Sequence, residues 1–120
     1  MEVLHSVLGY LAGAAVVAGM AWSLARAVGR GPDSKVWFDR LALATLAVVV
    51  AEVVTGAAWQ SSGGEPAPEH ALLAGVSVAA IPLLRVLGAS IGGFGRREPW
   101  LWLATYAIVG ASLVGLFVTG

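Results

Sequence analysis

Apolar residues run through this chain in four long stretches, broken by three short polar ones. The stretches fall at about residues 3–25, 41–59, 71–87 and 100–118. Each is continuous rather than alternating, so the period is that of helices apolar all round, not of strands with one wet face. Each is also close to the roughly 20 apolar residues needed to cross a bilayer as a helix. The polar breaks carry glycine, proline and charge, as turns do. The pattern predicts an all-α, integral membrane protein: one up-down four-helix bundle, in direct contact with the lipid bilayer.

A second pattern lies on top of the first. The chain has only two histidines, His5 and His70, and each heads an apolar run. Leu41-Ala-Leu-Ala-Thr45 in the second run matches Leu101-Trp-Leu-Ala-Thr105 in the fourth. At the same offset, Ala47, Val49, Ala51 and Val54 match Ala107, Val109, Ala111 and Val114. The expectation is two duplicated helix pairs, each opening with a histidine.

Charge sets the orientation. All seven basic residues belong to the first and third connections or their edges: Arg26, Arg30, Lys35 and Arg40, then Arg85, Arg96 and Arg97. The positive-inside rule places those connections in the cytoplasm and both termini outside, in a multi-pass protein of the cell membrane. Topology thereby accounts for every basic residue, and no nucleic-acid partner is expected. The absence of cysteine excludes disulfides, thiolate metal sites and thiol redox chemistry. Trp22, Trp37, Phe38, Trp100 and Trp102 are expected as an inner aromatic belt, with Trp59 in the outer one. Gly9, Gly13, Ala15 and Gly19 are small residues at spacings that let helices approach closely. Packing within the chain, a homodimer and a place in a larger membrane complex all use such a face.

Three features carry candidate chemistry. Glu52 is the acidic residue inside a span, roughly 10 Å below the outer end of its helix at 1.5 Å per residue. A carboxylate in hydrocarbon is costly unless neutral or paired, so Glu52 is expected to bond to another span or to hold a proton or cation. The other two features are the histidines. Antiparallel spans put the heads of the first and third helices on the same outer side. In a bundle ordered along the chain these helices face each other across the core. Two imidazoles at one level form a bis-histidine site for a single haem iron. Gly9 lies one turn after His5, and Ala74 one turn after His70; both are small enough for a flat ring to lie against the backbone.

The four-span plan, His5 and His70, and the opening Leu4-His5-Ser6-Val7-Leu8-Gly9 resemble small four-helix membrane cytochromes b and each half of the haem A synthase family. The resemblance implies a haem b held by His5 and His70; Gly9, Ala74 and Glu52 are the further candidate residues of a cofactor site. Electron transfer, haem binding or haem sensing would follow. The alternative is a small proton- or cation-coupled transporter or channel using Glu52, together with the histidines. A third reading is a structural subunit of a larger membrane complex.

Overall fold

The computed structural model describes residues 2–29, 35–61 and 68–119. Arg30, Gly31, Pro32 and residues 62–67 of the second connection lie outside the described residues, as does the Trp59 side chain. The described chain is helical: α1 Glu2–Ala27, α2 Lys35–Gln60, α3 Pro68–Ile91, a 3₁₀ turn Gly95–Arg97, and α4 Glu98–Thr119. All four α-helices are long and apolar enough to cross a membrane. A helix satisfies its own backbone, the condition any segment must meet in hydrocarbon.

Helix ends follow local chemistry. α3 begins at Pro68, where a missing N–H costs nothing, with Glu69 in the first turn at the positive end of the helix. It continues through Pro82 to Ile91, four residues beyond the apolar run. It stops where Gly92 and Gly93 take φ of 78° and 103°, conformations that side chains resist. The Gly93 N–H donates to the Gly88 carbonyl at 2.7 Å and closes the last turn. α2 starts six residues before the apolar run, because Lys35, Asp39 and Arg40 do not break a helix whose Phe38 is buried.

The contacts between helices have a simple register. From α1 to α4 they pass from Gly9–Phe117 through Val16–Gly110 and Gly19–Tyr106 to Arg26–Glu98, so these helices run antiparallel. α1 and α2 meet at His5–Thr55 and at Trp22–Phe38, also antiparallel. α3 packs closely on α4, with Leu73 against Gly115, and more sparingly on α2. Buried positions step by three and four: Gly9, Ala12, Val16, Gly19 and Ser23 in α1, and Phe38, Ala42, Thr45, Val49, Glu52 and Gly56 in α2. That is the seam of side chains interlocking between nearly parallel helices. The opposite faces are equally apolar, with Val17, Leu43, Leu83, Ile108 and Val114 exposed, a surface suited to lipid rather than water.

Polar groups in the seam are mostly satisfied within their own helix. Thr45, Thr105 and Ser112 donate to the carbonyls of Leu41, Leu101 and Ile108, four residues back, at 2.8 Å. Because the Thr45 proton goes to Leu41, the buried Tyr106 hydroxyl donates to Thr45 Oγ1, at 3.2 Å. This bond ties α4 to α2 across the core.

The aromatic belt is corrected by the structure. Trp37 and Trp100 are exposed, as interfacial anchors are. Phe38 and Trp102 are buried instead. Phe38 meets Trp22, Trp102 and Tyr106 edge-on, with ring centroids 5.7, 5.2 and 6.4 Å away. These rings fill the core at one end of the molecule, because Phe38 and Trp102 fall on the buried seams of α2 and α4.

Candidate functional site

At the other end, α1 and α2 cross two polar side chains over two glycines. On α1, His5 and Gly9 are four residues apart; on α2, Glu52 and Gly56 are four apart. Running antiparallel, each helix sets its glycine opposite its partner's polar group. A Cβ on Gly56 would lie 2.9 Å from His5 Cε1, and one on Gly9 would lie 3.1 Å from Glu52 Oε1. Both glycines are buried. The two side chains therefore rest on bare backbone, so close that a side chain at Gly56 or Gly9 would make them shift.

Thr55 joins the pair. Its hydroxyl donates to the Glu52 carbonyl at 3.0 Å, leaving its oxygen to accept from the His5 ring, whose Nδ1 lies 3.4 Å away. Glu52 is 5% exposed, yet its Oε2 has no hydrogen-bond partner among the described residues. The partner on another span that its depth leads one to expect is not among them. A buried carboxyl oxygen left unsatisfied costs about 1–3 kcal/mol or more.

His70 stands in the first turn of α3, half-buried, and Ala74 is half-buried one turn on. α4 relates the two histidines in depth. Its C-terminal turn places Phe117 against Gly9 and Gly115 against Leu73. Gly9 lies one turn below His5, and Leu73 about one turn below His70. Both helix heads thus rise past the same turn of α4. The structure sets Gly9, Glu52 and His5 together, and it sets Ala74 and His70 on a different helix at the same end.

Haem can be tested against this geometry. The two imidazoles suit it by donor type and by level. The space beside Gly9 does not, because the Phe117 ring and the Glu52 carboxyl occupy it; a Cβ on Gly9 would meet Phe117 Cζ at 3.0 Å. No three side chains of the metal-binding types gather among the described residues.

Thr55 and Gly56 were the site residues least visible from sequence. Their signal is the pairing of two polar-x-x-x-Gly units, His5-x-x-x-Gly9 and Glu52-x-x-x-Gly56, on helices joined antiparallel. At the far end, Arg26 is a second feature that sequence placed only in a connection. Its guanidinium lies 4.7 Å from the Phe38 ring centre and 3.7 Å from Glu98 Oε1. Compared with known proteins, the chain matches no family model, no curated protein and no solved structure.

Proposed function

We propose that this chain is a cell-membrane protein whose outer half carries a proton- or cation-binding site made by Glu52 and His5, serving proton- or cation-coupled transport. The observation that carries the reading is the buried Glu52 Oε2 without a partner among the described residues, on a carboxyl that rests against Gly9, one turn along α1 from His5. A bare carboxylate in hydrocarbon costs several kcal/mol, so Glu52 works only by exchanging a neutralising proton or cation. His5 sits between Glu52 and the helix head, half-buried and steadied through Thr55. It is placed to pass a proton between the outer surface and the carboxyl.

The architecture proposed with it is an up-down bundle of two duplicated pairs, both termini outside. Buried positions support the duplication. Ala12, Val16 and Gly19 of α1 correspond to Ser77, Ile81 and Leu84 of α3 at the offset that relates His5 to His70. Ala42, Thr45, Val49, Glu52 and Gly56 of α2 correspond to Trp102, Thr105, Val109, Ser112 and Leu116 of α4 at the offset of the Leu-x-Leu-Ala-Thr match. Seams with this spacing also agree at other offsets, so it is the shared residue identities that single these out. Reporter fusions after Ser34 and Gly64 test the orientation: cytoplasmic at the first, external at the second. A cytoplasmic Gly64 fusion would refute it.

Haem b ligated by His5 and His70 is the second reading, favoured by the common level of the two helix heads. It requires Phe117 and Glu52 to leave the face of Gly9. One preparation separates the two. Protein purified from its own membranes and reconstituted in liposomes with an internal pH dye should be colourless and should respond to an external acid pulse. Glu52→Gln should abolish the response and His5→Gln should slow it. A Soret band that disappears with His70→Ala would establish haem instead. A Glu52→Gln protein with an unchanged response would overturn the Glu52 site.

A further inference from the structure

Away from His5 and Glu52, at the end that holds Arg26, a cleft of about 370 Å³ is lined from three helices and the turn between α3 and α4. Asp39 comes from α2, Arg85 and Gly88 from α3, Phe94 from the turn, and Glu98 and Trp102 from α4. Its size falls within the roughly 300–1,000 Å³ typical of small-molecule sites. α2 and α3 make the loosest of the contacts between neighbouring helices, which is why the cleft persists there.

Three charges line it. Glu98 already has a counter-ion, Arg26, at 3.7 Å. Asp39 and Arg85 form no ion pair within 4 Å among the described residues, so they place one anion and one cation on the wall of the cleft. Trp102 and Phe94 add aromatic faces, which attract cationic groups. The exposed Trp37 and Trp100, with the basic residues Arg40, Arg96 and Arg97 at the same end, mark headgroup depth.

We infer that this cleft binds the headgroup of a phosphatidylethanolamine lipid, its phosphate on Arg85 and its primary ammonium on Asp39. The ligand chemistry is a phosphate joined by a short linker to an ammonium. Arg85 suits the phosphate because a guanidinium offers several N–H donors in a fixed fork. Asp39 suits a primary ammonium because a carboxylate accepts the bonds such a group donates. An anionic lipid without an ammonium would satisfy Arg85 and leave Asp39 facing a second negative charge. The site is remote from Glu52 and does not depend on the transport reading.

Native mass spectrometry of the detergent-solubilised full chain tests this, titrated with phosphatidylethanolamine and phosphatidylglycerol of matched tails. Wild type should bind one phosphatidylethanolamine with about tenfold preference, as one charge-assisted contact gives. Asp39→Asn should erase the preference while phosphatidylglycerol binding persists. Arg85→Gln should weaken both lipids by about tenfold. Arg96→Gln, a basic residue at the same end that does not line the cleft, should leave the preference intact. Equal binding of the two lipids to wild type, or a preference that survives Asp39→Asn, would overturn the assignment. Loss of the preference with Arg96→Gln would do the same, by showing that general surface charge decides it. Soluble glycerophosphoethanolamine distinguishes the source: displacement of the lipid at equal concentration would refute a lipid ligand in favour of a soluble one.

Discussion

Gly19→Val should prevent the native bundle from forming, and Gly19→Ala should destabilise it severely. A Cβ on Gly19 would press into three atoms of the Tyr106 ring, closer than real Cβ atoms come to a neighbour. The ring has nowhere to go. It is fully buried, it sits against Phe38 and Trp102, and its hydroxyl is bonded to Thr45. Either α1 moves away from α4 or Tyr106 gives up that bond. Overpacking a filled core costs about 1–3 kcal/mol, occasionally more, and the lost bond adds about 1 kcal/mol. In a bilayer the loss is felt fully, because close packing and interhelical bonds, not hydrophobic burial, hold such helices together. Gly13 is the control: a Cβ there meets nothing within 4 Å. Gly13→Ala should leave stability unchanged or slightly raise it, since alanine is the better helix former. Thermal melts of the helical signal in detergent compare the two. Equal melting of the two alanine variants would refute the packing of Tyr106 on Gly19.

That contrast shows how far sequence alone could read α1. Gly9, Gly13, Ala15 and Gly19 all looked like a packing face, and composition could not rank them. Gly9 and Gly19 are buried against polar and aromatic partners, while Gly13 meets no side chain within 4 Å. The ranking depends on what stands opposite, and only the register between helices supplies that. The spans themselves were legible, because a helix apolar all round needs no partner to be recognised. Their ends were less so: α2 starts earlier and α3 ends later than hydropathy indicates. Asp39 and Arg40 are polar without breaking a helix, and Gly88 is tolerated inside one.

The candidate site was legible by residue type and hidden in its pairing. His5, Glu52 and Gly9 each drew attention in the sequence. That His5 shares a site with Glu52 follows from two facts that act between helices. α1 and α2 run antiparallel, and their polar and glycine positions share the spacing of one helical turn. A duplicated histidine points to His70, whereas burial and an unsatisfied oxygen point to Glu52. Chemistry that depends on a missing partner cannot be read from one residue at a time.

Phe38 poses the same problem in the core, and its replacement is the second large effect expected. Next to Trp37 and three residues after Lys35, it reads as an anchor at the membrane surface. Its ring is instead 1% exposed, edge-on to Trp22, Trp102 and Tyr106, with the Arg26 guanidinium 4.7 Å from its centre. Phe38→Ala should cost about 3–5 kcal/mol, the usual range for emptying an aromatic site in a core. Three rings lose their common neighbour, and the cation over the face loses a contact worth about 0.5–2 kcal/mol. Phe38→Leu should cost less, because it restores much of the volume and forfeits mainly the ring contacts. Trp37→Ala, one position away and 59% exposed, should barely change the melting temperature. The near-ultraviolet signal of Trp22 and Trp102 should weaken in Phe38→Ala and persist in Trp37→Ala, since Phe38 lies edge-on to both indoles. If Phe38→Ala melted like wild type and Trp37→Ala did not, Phe38 would be the surface anchor and the aromatic core at this end would be wrong.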